Sequence, residues 1–165
     1  MNIKRIIKHL SVGHAAVRRT FPHAALNKIK HTIAEVEQTH AGQIRFAVEA
    51  ALDIRPLLAG QSARERAIEV FSQLRVWDTE HNNGVLIYLL LADRDVEIVA
   101  DRGVHAKLGQ AMWEAVCQEM EAAFRQGKFE EGVIAGIRSV GAHLARHYPQ
   151  VGTKINELPD QPILI

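Results

Sequence analysis

Residues 78–83 read DTEHNN, two carboxylates, an imidazole and two amides in six positions: Asp78, Glu80, His81, Asn82 and Asn83. Hard cations such as calcium take six to eight oxygens from carboxylates, amides and carbonyls on a loop able to wrap around them. Asp101 and Arg102 join this set if the fold carries them to the same loop. Carboxylates converging from two loops repel one another, and a bound cation or the Arg102 guanidinium relieves that repulsion. The spacing is not that of an EF-hand. A solvated loop fits the same residues, with Asn82-Asn83-Gly84 supplying turn conformations and an aspartate capping a helix. Both readings stand on these residues alone.

A second polar group, Glu49, Asp53, Arg55, Asp93, Arg94 and Asp95, reads as hairpin-turn chemistry and surface ion pairs worth ~0–1 kcal/mol each. His143 and His147 are spaced i, i+4, but Leu144 stands where a zinc protease needs a glutamate. Near a helix end they suit the negative pole of the dipole. Cys117 has Glu114 and Glu121 a turn away, which disfavours a thiolate. No phosphate-binding loop, nucleophile elbow or dinucleotide fingerprint is present. Aromatic residues make up 5% of the chain and no strand interleaves them with basic ones, so a nucleic-acid platform is not supported.

The elements that position these residues follow from periodicity. Pro22 to His40 is a helix along Leu26, Ile29, Ile33 and Val36, and Gln43–Ala50 alternates as a strand with one partly polar face, which suits an outer position. Asp53–Gly60 is a loop, and Ser62 with Glu65 forms a capping box that opens a helix running to about Trp77. Gly84–Ala92 is apolar on both faces and is a central strand. Asp93-Arg94-Asp95 turns the chain into Val96–Asp101, an antiparallel hairpin partner. Leu108–Gln126 and Phe129–Tyr148 are helices; Gly132, Gly136 and Gly141 on the second allow a close approach to a neighbour. These elements predict an α/β chain with a small mixed sheet between helical layers, a parallel crossover plus an antiparallel hairpin. Strand direction then brings Asp101 and Arg102 to the 78–83 loop.

The 165 residues suit one domain, with 47% hydrophobic and 24% charged residues. The longest uncharged apolar run, residues 84–92, is short of the roughly 20 residues a membrane-spanning helix needs. A single cysteine forbids an intrachain disulfide and fits a reducing compartment. Net charge is +1, but residues 1–34 carry +7 with no acid before Glu35, and the remainder carries −6. Residues 1–20 are a basic amphipathic segment with Ile3, Ile6, Ile7 and Leu10 on one helical face; residues 21–149 are the domain, and 150–165 a loose tail. The first segment lacks an apolar signal core and a cleavage site, giving the expectation of a cytoplasmic protein, peripheral to the inner face of the membrane where this segment meets lipid. A first helix docked on its own domain is the alternative, and the expected one.

A helix ending in an aromatic and a polar loop, then Asn83-Gly84-Val85-Leu86-Ile87, then Asp93-Arg94-x-Val96-Glu97-Ile98 and Gly103, resembles the TPM domain. That family is named after a thylakoid lumen protein, a photosystem repair protein and an acetylcholine-receptor modulator. The likeness continues through Trp113, Phe124-Arg125-Gln126-Gly127-x-Phe129 and Gly132, and spans about residues 43–147. It implies a three-layer α/β/α sandwich, a weak acid-phosphatase activity known in plant relatives, and calcium binding around the Asn83–Leu86 strand start. By position it implies Asp78, Asn82, Asn83 and Asp101 as cation ligands. The chain departs from the pattern in lacking an export signal and a Gly-rich or membrane tail. It also carries Asp101-Arg102-Gly103 where many relatives have Gly-aromatic-Gly.

Two functions follow. In one, a divalent cation, calcium by the resemblance, held by Asp78 and Asp101 activates water for phosphoester hydrolysis while Arg102 steadies the phosphoryl charge. In the other, the chain is a non-catalytic interaction or assembly module that binds a cation and engages a protein partner or a membrane surface. The second is the expectation, because no complete catalytic set is legible.

Overall fold

The structure is a computed structural model and describes residues 3–153 and 155–165. Strands β1 (Gln43–Glu49), β2 (Gly84–Leu90), β3 (Asp95–Ala100) and β4 (Ile163–Leu164) form one open sheet in the order β3-β2-β1-β4. β1 runs parallel to β2 in register from Gln43↔Gly84 to Glu49↔Leu90, and β3 returns antiparallel to β2. Strand residues point alternately to the two faces, so each face carries its own core. On one side Ile44, Phe46, Ile87, Leu89 and Ile98 pack under α2 (His14–Thr20), α3 (His23–Val36), α7 (Gln110–Arg125) and α8 (Phe129–His147). On the other, Ala47, Leu86, Tyr88 and Leu90 pack under α4 (Ile54–Leu58) and α5 (Ala63–Gln73). This is the expected three-layer sandwich with a mixed sheet.

Local signals account for several boundaries. Ser62 caps α5 with the full reciprocal capping box to Glu65. Gly136 and Gly141 lie where a Cβ would strike Met120 and Val36, so α8 presses against α7 and α3. Asn82 adopts the left-handed conformation (φ 50°). At Gly84 a Cβ would collide with the Val76 carbonyl, which makes glycine a packing requirement of the loop that introduces β2.

Four expectations are corrected. The 53–60 segment contains α4, nucleated after Asp53 as the chain leaves the sheet. Residues 102–108 form a separate helix, α6 (Arg102–Leu108), ended by Gly109 at φ 73° before α7 begins. β1 is not an outer strand, and residues 150–165 do not end as a loose tail: β4 pairs with β1 at Ala47↔Ile163 and Val48↔Leu164. The polar residues of β1 explain why. Gln43 Oε1 accepts from the Glu157 and Leu158 amides at 3.1 Å, and Arg45 donates to the Pro159 carbonyl. These side chains hook the C-terminal segment over the sheet, and Leu158 is buried in the second core.

The N-terminal helix α1 (Ile3–Ser11) is docked, but through only one residue of its apolar stripe. Its contacts are Ile6, which packs on the second core, and the buried His9. The Leu52 amide donates to His9 Nδ1 (3.0 Å), fixing the ring proton on Nε2. Arg5 Nε donates to Asp93 Oδ2 at 2.9 Å. Ile3, Ile7 and Leu10 are exposed.

Candidate functional site

The hairpin does bring its terminal acid to the loop that introduces the central strand. The Asp101 amide donates to the Gly84 carbonyl (2.9 Å), one step beyond the Val85↔Ala100 pair. Beside it, Gly103 lies under the loop carbonyls, and a Cβ on Gly103 would sit 2.7 Å from Asn82 O and 3.2 Å from His81 O. The residues named from the sequence separate by environment. Asp101 is buried; one of its oxygens accepts from the Arg102 amide (2.6 Å) and caps α6, while Oδ2 is buried with no hydrogen-bond partner. Asn83 is buried too, and its Nδ2 donates to the Ala41 carbonyl (2.8 Å), leaving Oδ1 buried and unpartnered. That donation turns the Asn83 amide toward the β1 side of the central strand, whereas Asp101 lies on the β3 side. Asp78, Asn82 and Arg102 expose their side chains to solvent. Thus the fold brings the 101–103 segment to the Gly84 end of β2 and under the 81–82 carbonyls, and leaves the Asp78 and Arg102 side chains in solvent.

Three partners were invisible in the sequence. Thr79 Oγ1 accepts from the Asn83 amide (3.1 Å) and holds the loop in its turn. Tyr148, the last apolar position of the α8 stripe, donates its hydroxyl to the Gly103 carbonyl. Its phenol is raised by burial and by the nearby Asp101 carboxylate. Lys107 Nζ lies 4.0 Å from the Tyr148 ring centroid. Only the aromatic at the helix end hinted at Tyr148, and nothing in the sequence tied it to Asp101, 47 positions away in the chain.

The oxygens here that could serve a hard cation are a carboxylate oxygen with no partner and main-chain carbonyls facing the same segment, short of the six to eight such an ion takes. Among the described residues no group of three or more His, Cys, Asp or Glu converges as a metal cage. Any cation held this way is bound weakly, because one buried carboxylate supplies little charge.

The second polar group divides: Asp53, Arg55 and Arg94 are exposed and 93–95 turn the hairpin as expected, but Glu49 is not on the surface. Glu49 is buried and accepts from Tyr88 Oη (2.6 Å), Arg66 Nε (2.8 Å) and Arg66 Nη2 (3.1 Å). Burial raises the Tyr88 phenol, and Glu49 raises it further. Asp93 anchors α1 as described, and Arg94 lies over the Phe129 ring at 5.9 Å. Asp95 lines a groove with Glu97, Glu114, Cys117 and Glu121. Burial and the surrounding carboxylates push the Cys117 thiol up to about 12, consistent with an inert cysteine.

The chain is 28% identical to the BA42 protein of the psychrophilic bacterium Bizionia argentinensis, with a TM-score of 0.75 over 86% of this chain and 92% of that one. The N-terminal domain of a protein from P. gingivalis shares the fold, with a TM-score of 0.62 at 18% identity, covering 79% of this chain and 82% of that one. No curated protein matches. The TPM domain family model matches residues 18–143, from α2 to the last turns of α8 and across the whole β1–β3 sheet. The chain therefore belongs to the TPM domain family.

Proposed function

We propose that this TPM domain is a non-catalytic interaction module that binds a divalent cation, calcium by donor chemistry, at the start of the central strand. The observation that carries the reading is the buried, unpartnered Oδ2 of Asp101 at the head of the 101–103 segment, whose Gly103 meets the 81–82 carbonyls. A buried carboxylate oxygen without a partner is costly, and a cation or a donor from a partner protein relieves that cost. Support for the non-catalytic reading comes from the rim. Transition-state stabilisation needs groups held in place before reaction. The Asp78 carboxylate and Arg102 guanidinium are solvated, without side-chain partners among the described residues.

Calcium titration followed by amide NMR tests the reading. Shifts confined to residues 79–84 and 101–103, abolished in Asp101→Asn, are expected; no shifts at millimolar calcium overturn it. The phosphoesterase alternative rests on the same cation. Hydrolysis of a generic phosphate ester that needs metal and is lost in both Asp78→Ala and Asp101→Ala would replace the module reading with that one.

A further inference from the structure

The exposed face of α1 is unexplained by the cation site, which lies at the other end of the sheet. Ile3, Ile7 and Leu10 are 66%, 61% and 71% exposed, although they share one stripe with Ile6, through which, with the adjoining His9, the helix is seated on the domain. Lys4 and Lys8 are exposed along the flank of that stripe. The helix is held at the ends of the parallel strands, by the Leu52 amide just after β1 and by Asp93 just after β2. Leu52 also leads into α4, where Ile54 and Leu58 are 47% and 52% exposed. This end of the molecule therefore gathers several solvated large apolar side chains. Scattered exposed leucines need no explanation, but a grouped apolar stripe edged by lysines does.

We propose that α1 is a docking surface for an anionic lipid bilayer, lying in the headgroup region with Ile3, Ile7 and Leu10 inserted and Lys4 and Lys8 on the lipid phosphates. Charge selects this occupant. The exposed charges on α1 are Lys4 and Lys8, and the helix carries no acid, so a second copy meeting it face to face would set like charges together, whereas an anionic surface attracts them. An amphipathic helix with a basic polar flank is the form that lies in such an interface. The clamp also gives the contact a direction. Because α1 is fixed to the chain just after β1 and β2, the bilayer meets that end of the sheet. Asp101 and the 81–82 turn, at the start of β2, point away from it across the length of a seven-residue strand, roughly 20 Å. One short helix makes a weak, reversible contact.

The test is co-sedimentation of the full chain with vesicles of phosphatidylcholine, with and without phosphatidylglycerol. Binding to the anionic vesicles alone is expected, falling several-fold as salt rises from tens to hundreds of millimolar. An Ile7→Asp/Leu10→Asp variant should lose at least tenfold. The Leu52 amide resonance, which reports the seated α1, should stay unchanged in that variant. A spin-labelled lipid in the anionic vesicles should broaden the amides of α1 and of residues 52–54 and 93–94, and spare 81–83 and 101–103. Equal binding to neutral vesicles, undiminished binding by the variant, or wild-type dimerisation that the variant abolishes would each overturn the proposal. Broadening centred on residues 81–83 would overturn its orientation. All of these readouts are independent of calcium, so the cation reading can fail while this one stands.

Discussion

Glu49 shows how much depends on one side chain. Its carboxylate accepts from three donors on two residues and is almost entirely withdrawn from water. Removing it leaves the buried Tyr88 hydroxyl without an acceptor and the partly buried Arg66 charge with only Glu69. Breaking a buried pair from one side costs far more than the pair contributes as a whole. Glu49→Ala should therefore lower the unfolding free energy by about 3 kcal/mol in urea titrations. Glu69 bonds the same guanidinium (3.0 Å) but is half exposed. Glu69→Ala should cost no more than about 0.5 kcal/mol. Equal losses in the two variants would mean that Arg66 is held mainly by packing. Nothing in the sequence separates these glutamates, since type and spacing do not say which one is covered.

At the scale of elements, the seam between β3 and α7 carries an excess of negative charge, offset only where Arg64 pairs with Glu97 at 3.3 Å. Asp95, Glu97, Glu114 and Glu121 line a groove of about 280 Å³. Burial, then Glu97, Glu121 and Asp93, push the Asp95 carboxyl up to about 6 from an ordinary value of 3.8. A carboxyl with a raised folded-state value binds its proton more tightly in the folded chain than in the unfolded one. Its unfavourable charge therefore weakens the fold above about pH 6 and is relieved progressively as pH falls toward about 4. Asp95→Asn should stabilise the protein at pH 7.5 by about 1 kcal/mol, a figure reduced for the solvent still reaching the group. The advantage should vanish below about pH 4. Thermal unfolding of both forms across that range checks it, and a constant difference would assign the effect to packing. The acidic residues of this seam are plain in the sequence; their convergence needed β3 to lie beside α7.

For the whole molecule, the C-terminal segment is a structural member of the sandwich. Ile165 closes the sheet by donating to the Val48 carbonyl (2.9 Å), and Leu158 is buried. A chain ending at Pro149 loses that burial and those hydrogen bonds. It should be less stable by about 3 kcal/mol or more, from apolar burial and lost hydrogen bonds together. It also leaves β1 as an open edge, and open edges recruit other chains. Light scattering of the truncated form should rise with concentration while the full chain stays unchanged. Equal stability of the two forms would show that the segment only rests on the sheet.

The sequence alone determined the two-faced apolar strand at residues 84–90, the amphipathic helices on either side of it, the parallel crossover and the return hairpin. Each is a local property: side-chain periodicity states which residues share a face before any partner is known. From strand direction alone it also placed Asp101 beside the Gly84 end of β2. Only the tertiary structure decided what covers each face. Gln43, Arg45 and Glu49 alternate like a solvated edge, yet the tail and α5 bury them. Ile3, Ile7 and Leu10 repeat like a docking stripe, yet α1 is seated through Arg5, Ile6 and His9. Asn83 and Asp101 flank the same Gly84 end of β2, yet a single hydrogen bond to Ala41 turns the Asn83 amide to the far side of that strand. Such choices depend on contacts between residues tens of positions apart. Those contacts form only when packing repays the entropy of closing the intervening loops, and no local pattern records that balance.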